Sequence, residues 1–286
     1  MFDRLKLNIE AVTCVGDIHG NFGSIVQLVK SYDITDTLIV FCGDVGIGFH
    51  KYDYYEQIFK KLNRELSKRN VYLYFIRGNH DDPVYYEGNQ FKGKHIRTIR
   101  DYTVIECYGL GDTEMTGEKY TMLAVGGGLS VDRTTRIAET EMAAFKYMRF
   151  HHGIDYDEAY RRCPQEYWIG EMPVFDPERL DEIKESGIMI DCVCTHTAPH
   201  FCELLNKEGV KRWILVDKDL EKDLNIERNT MTDIYNKLLV DGHPVEKWVY
   251  GHFHVHHTQN IDGMMFYLLD RERNGHIDHV TVKIFV

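Results

Sequence analysis

A chain of 286 residues with 43% hydrophobic and 28% charged side chains can build a sizeable core and is neither disordered nor fibrous. Its 34 Lys and Arg against 45 Asp and Glu leave a net charge of −11, which argues against broad binding to nucleic acid or to an anionic membrane, since both need a basic face. No run of about 18 apolar residues predicts a membrane span, and seven cysteines without a Cys-x-x-Cys, behind an N-terminus that does not read as a leader, point to reduced thiols and a cytoplasmic chain.

In chain order, one pattern repeats. A short β-branched or aromatic run stops at a Gly or Thr, and Asp, His or Asn follows at once. Residues 11–15 lead into Gly16-Asp17-Ile18-His19-Gly20, and residues 37–42 into Gly43-Asp44. Residues 71–77 lead into Gly78-Asn79-His80-Asp81, residues 191–195 into His196, and residues 247–250 into Gly251-His252-Phe253-His254. Continuous apolar runs predict strands buried on both faces. Between the first three, residues 22–31 and 54–68 carry helical apolar spacing, so the sheet has helices on its faces. Residues 119–125 read as a further strand ending in Gly126-Gly127-Gly128. Helices are expected over about 137–150, from the Asp176 cap with Pro177, and over 219–241. Alternating runs at 258–261, 264–269 and 279–286 predict a terminal antiparallel meander. With no linker or repeat, residues 1–286 are read as one domain with an inserted segment near 127–185.

Polar groups placed after the strands of such a sheet converge at its C-terminal edge, where ligands bind. The 15 histidines, with no thiolate motif, direct the search to nitrogen and oxygen metal ligands. Taken in order, Gly-Asp-x-His-Gly, Gly-Asp, Gly-Asn-His-Asp, Thr-His and Gly-His-x-His resemble the motifs of the calcineurin-like metallophosphoesterases. The segments that carry the resemblance span residues 12–82 and 190–254. It implies an α/β (α+β) fold of two packed mixed β-sheets flanked by helices, and a hydrolase that cleaves phosphate mono- or diesters. It also implies two divalent ions, Mn²⁺ first with Fe or Zn²⁺ as alternatives: Asp17, His19 and His254 on one, Asn79, His196 and His252 on the other, and Asp44 bridging. Attack by a hydroxide bridging the ions, with the ions neutralising phosphoryl charge, is the implied chemistry. His80 is the implied general acid. Asp81 is a candidate to hold the His80 ring, with a plain turn cap before Pro83 weighed equally. Arg133 and Arg136 are candidate substrate contacts, weighed against exposed arginines at a helix start.

Protein Ser/Thr phosphatases of the superfamily carry an Asp and an Arg after the second Gly-Asp. Here the segment is Gly43-Asp44-Val45-Gly46-Ile47-Gly48, which puts that assignment in doubt. Gly126–Asp132, Trp168 and Glu171-Met172-Pro173 resemble a small bacterial and phage subgroup. The expected substrate is a phosphorylated small molecule or nucleotide. A nuclease is the alternative, disfavoured by the acidic balance, and a non-catalytic binding module is the third reading. No membrane partner is expected, and the oligomeric state is left open.

Overall fold

The computed structural model describes residues 2–88, 91, 93–207 and 209–285. Strands β1 (Arg4–Asn8) and β2 (Ala11–Val15) are followed by α1 (Phe22–Ser31), β3 (Thr37–Phe41), α2 (Tyr52–Leu66) and β4 (Tyr72–Phe75). The short α3 (Val84–Glu87) leads to β5 (Ile96–Thr98), β6 (Thr103–Tyr108) and β7 (Lys119–Val125). Helices α4 (Arg133–Phe150), α5 (Tyr156–Arg162) and α6 (Pro177–Glu185) come before β8 (Cys192–Thr195). Helices α7 (Val210–Ile214) and α8 (Leu220–Val240) come before β9 (Lys247–Tyr250), β10 (His257–Ile261), β11 (Met264–Leu268) and β12 (His279–Ile284).

These strands form two mixed sheets, ordered β1-β6-β7-β8-β9-β11-β10 and β12-β2-β3-β4-β5. Side-chain parity explains how they pack, because successive residues of a strand face opposite sides. Val12, Cys14, Leu38, Val40, Tyr72 and Tyr74 of the smaller sheet meet Cys107, Met122, Ala124, Cys192, Cys194 and Val249 of the larger. The alternate residues Val15, Ile39, Phe41, Leu73 and Phe75 pack under Ile25 and Leu28 of α1 and Tyr55 and Phe59 of α2. On the outer face of the larger sheet, Leu123, Val193 and Trp248 pack against Leu180 and Ile183 of α6 and Ile234 and Leu238 of α8. The result is four layers, helix–sheet–sheet–helix. The central strands are covered on both sides, which is why their sequences are continuously apolar. Cys14, Cys42, Cys107, Cys192 and Cys194 are free thiols within the core between the sheets.

Three strands lie outside the sequence-based reading. β1 and β5 are edge strands, and β6 carries the buried Glu106, which pairs with Arg4 and Lys119. Charged side chains there mask the apolar signal. The C-terminal meander needs correction. β10 and β11 do form an antiparallel hairpin, but β11 lies parallel to β9, and β12 crosses to the other sheet to pair antiparallel with β2. Val286, the end of the expected last strand, lies outside the described residues. Among those residues, no helix is long and apolar enough to cross a membrane.

Candidate metal centre

β2, β3 and β4 are mutually parallel, as are β7, β8 and β9. Their C-terminal ends deliver Asp17 and His19, Asp44, Asn79 and His80, His196, and His252 and His254 to one place. The turns that do so are strained. His19, Asp44, His252 and His254 have φ of 43°, 47°, 73° and 58°, a left-handed conformation that costs non-glycine residues of order 1–3 kcal/mol each. Gly43, at φ +91°, is required by space as well, since a Cβ there would lie 2.4 Å from His196 Nδ1.

Two sets of donor atoms result, Asp17, His19, Asp44 and His254 in one, and Asp44, His196 and His252 in the other. In the first, His254 Nε2 lies 3.1 Å from His19 Nε2 and 3.4 Å from Asp17 Oδ2. In the second, His196 Nε2 lies 3.0 Å from Asn79 Oδ1, 3.1 Å from His252 Nδ1 and 3.3 Å from Asp44 Oδ1. Ligands bound at about 2.1 Å in tetrahedral or octahedral geometry stand roughly 3.0–3.4 Å apart, so both sets have the spacing of a coordination shell. Asp44 belongs to both. Its Oδ1 accepts the His80 backbone N–H at 2.8 Å, whereas Oδ2 is buried without a hydrogen-bond partner. Burial alone would raise the Asp44 carboxyl, but the facing His196, His80 and His19 outweigh it and hold the group well below the usual carboxylate range. An ionised, buried carboxylate oxygen without a donor is costly unless a cation faces it. The donors therefore fit divalent metal ions.

Outer hydrogen bonds aim the ligands. His196 Nδ1–H donates to the Cys42 carbonyl at 2.6 Å, which turns Nε2 inward; against burial, the facing Asp44 and Asp17 carboxylates raise its pKa to about 9, so a bound cation would take the place of that Nε2 proton. His252 presents Nδ1 to the centre and Nε2 to the buried Glu227, whose Oε1 is 3.9 Å away. Burial lowers the proton affinity of His252 well below its ordinary range, so its ring is neutral and able to ligate. Asn79 Nδ2 donates to Ser130 Oγ at 2.9 Å, and Glu171 accepts Ser130 N–H at 2.6 Å and Ser130 O–H at 2.8 Å. This chain fixes which way the Asn79 amide points. Burial pushes Glu171 up to about 8, yet Ser130 Oγ can accept from Asn79 in either carboxyl state. Removing the hydroxyl in Ser130→Ala frees the amide to flip. We expect metal affinity at the Asn79 site to fall about 10- to 100-fold with the fold intact, measured by equilibrium dialysis; unchanged affinity would show that the hydroxyl does not orient Asn79.

His80 lies against the same centre, with Nε2 3.9 Å from Asp44 Oδ2. Its Nδ1 faces Arg136 Nη1 at 3.1 Å. A guanidinium only donates, so Nδ1 carries the lone pair and Nε2 carries the proton. Burial is the largest cause of a fall in the His80 pKa to about 3, and Arg136 adds to it. The expected contact between Asp81 and His80 is not formed. Asp81 instead accepts backbone N–H groups of Val45, Gly46, Ile47 and Gly78 at 2.7–3.1 Å, bracing the loop that carries Asp44. The two arginines also separate. Arg136 reaches the site, bound to Asp132 and Glu166, while Arg133 is paired with Asp217 and Asp223. Glu227 carries no signal in the sequence, and Ser130 stands out there only as part of the Gly126–Asp132 segment. Glu171 likewise stands out only as part of a short motif.

A layered pair of sheets thus presents two donor sets that share a carboxylate. The model of the calcineurin-like phosphoesterase family matches residues 11–256, and the chain belongs to that family. No curated protein matches it. Among solved structures, a dimetal phosphatase from Danio rerio is 10% identical, with 92% of this chain and 88% of that one covered at a TM-score of 0.46. A phosphopantetheinyl hydrolase from Mycobacterium tuberculosis is 13% identical, with 97% and 98% covered at a TM-score of 0.42. Likenesses this distant carry no argument about the substrate.

Proposed function

We propose that this phosphoesterase hydrolyses small phosphate esters at a centre of two divalent cations, one held by Asp17, His19 and His254, the other by Asn79, His196 and His252, with Asp44 shared. The observation that carries this reading is the membership of Asp44 in both donor sets, with its Oδ2 buried and unpartnered. When bound, the cations supply an acidified water and positive charge facing the phosphoryl oxygens. Carboxylate, amide and imidazole donors without thiolate suit Mn²⁺, with Fe or Zn²⁺ as alternatives.

The general-acid role expected of His80 is revised. With Arg136 donating to Nδ1, a doubly protonated ring would set two N–H groups against each other. A neutral ring that gave up its Nε2 proton would become an unfavourable imidazolate. His80 therefore acts by donating the Nε2–H to a phosphoryl oxygen and keeping its proton. Arg136 holds His80 in that tautomer and is a positioning residue. Small esters are favoured over nucleic acid because the arginine nearest the centre is flanked by Asp132 and Glu166, whereas a strand needs a basic groove. Residues 127–185 are read as an insertion within one domain, contributing Ser130, Arg136 and Glu171 to the site. The buried free thiols suit a cytoplasmic setting.

Chelation tests the reading. EDTA should abolish turnover of p-nitrophenyl phosphate and bis-p-nitrophenyl phosphate, and Mn²⁺ should restore it best. Equal restoration by Mg²⁺, which prefers oxygen ligands and waters, would contradict the imidazole-rich ligand set. Activity that survives chelation would contradict the metal mechanism itself.

A further inference from the structure

On the His80 side of the metal centre lies a cavity of about 670 Å³, inside the range of roughly 300–1,000 Å³ usual for small-molecule sites. Three stretches enclose it: Pro83 and Val84 just after the Asn79-His80 turn, Ile137 of α4, and Tyr167, Trp168 and Ile169 ahead of α6. Its wall is joined to the centre by direct contacts. The Phe49 ring lies 6.2 Å from the His80 ring and stacks on Trp168 at 6.4 Å, centroid to centroid. Gly48, on the loop that carries Asp44, makes room for that indole, since a Cβ there would lie 2.8 Å from Trp168 Cζ2. Arg136 donates both to His80 Nδ1 and to the Glu166 carbonyl, and the residue after each, Ile137 and Tyr167, lines the cavity. The cavity therefore begins one aromatic ring away from His80.

We propose that this cavity holds the organic arm of the ester while its phosphate sits at the metal centre, and so selects phosphate esters that carry a neutral aromatic ring. The inference rests on the phosphoester reading above and names the substrate class that reading leaves open. Among the described residues, the lining holds no Lys, Arg or His, and its charged members, Asp82 and Glu87, are acidic. A second phosphate or another anionic arm would meet repulsion there with no cation to offset it. Tyr167 and Trp168 instead offer flat faces, against which a ring packs edge-on or in offset stacking, while Ile137 and Ile169 supply aliphatic surface. A ring buried there gains the transfer free energy of its apolar surface, independent of the chemistry at phosphorus.

The test gives the metal-loaded enzyme propyl and pentyl phosphate, each with and without a terminal phenyl ring. All four leave as similarly basic primary alkoxides, so the ring and its reach are the variables. Burial of one ring predicts kcat/KM about 10- to 100-fold higher for the better-fitting phenyl ester than for its plain alkyl counterpart. In the double variant Ile137→Ser with Tyr167→Ala that advantage should fall about tenfold or more. Ile169→Ser changes a rim position that is 93% exposed, so the fold should stay intact while the advantage shrinks. Calorimetric binding of the matching phosphonates, which are not hydrolysed, should show the same ratios. No advantage for the phenyl compounds, or one that survives both sets of substitutions, overturns the assignment of the cavity. A metal-loaded wild type that hydrolyses none of the esters speaks against the phosphoester reading instead, and the phosphonate ratios then still decide for or against the cavity.

Discussion

Asp44→Asn should empty both metal sites together. The shared carboxylate is the one side chain in both donor sets, completely buried and with one oxygen left without a hydrogen-bond partner. Asparagine tolerates the left-handed backbone at φ 47°. Its amide oxygen can still accept the His80 backbone N–H, so the loop should survive the change. What disappears is the negative charge that lets two cations sit side by side. We expect each ion to lose at least about 100-fold in affinity, beyond the 10- to 100-fold typical of an outer hydrogen-bond partner. Elemental analysis after dialysis, with circular dichroism as the check on folding, measures this. Retention of two ions per chain would show that Asp44 does not bridge.

His80→Ala should keep the metals and lose turnover by roughly 10²–10³-fold, the usual effect of removing one donor that faces developing charge. The pattern of the loss is more telling than its size. Proton transfer to the leaving group matters most for basic alkoxides and little for p-nitrophenolate. A hydrogen bond to a phosphoryl oxygen matters equally for both. We expect equal losses on alkyl and p-nitrophenyl esters, and a much greater loss on alkyl esters would restore the general-acid role. The pH profile gives a second reading. Burial pushes His80 down to about 3, so its ring is neutral through the neutral range. A reaction needing the imidazolium would gain from His80 as pH falls toward that value, whereas one needing the neutral ring draws a constant contribution above it. The acid limb between pH 5 and 7 should therefore be the same in wild type and His80→Ala.

The strands that carry the ligands were legible because each is a continuous apolar run that ends abruptly at Gly or Thr, followed within a few residues by the ligand. That local contrast survives without knowledge of the pairing. β1 and β6 are harder to read, because Arg4, Glu106 and Lys119 satisfy one another across strands far apart in sequence. β12 reads as one more alternating strand, and nothing local says that it joins β2 rather than β11. The same limit applies within the site. Arg133 and Arg136 stand one helical turn apart and look alike in sequence, yet the first turns to Asp217 and Asp223 and the second to His80. Asp81 stands two residues after Asn79 and beside His80, and its role is decided by a loop more than thirty residues earlier. Orientation of a ligand by a distant group, as Glu171 and Ser130 orient Asn79, depends on tertiary contacts that no spacing rule encodes.

Two cations sharing Asp44 would lie side by side at the strand ends. Crystals of the wild type grown with Mn²⁺ and measured by anomalous scattering test this arrangement most directly. Two peaks are expected, one among Asp17, His19, His254 and Asp44, the other among Asp44, Asn79, His196 and His252. A single peak, or peaks away from Asp44, would contradict it.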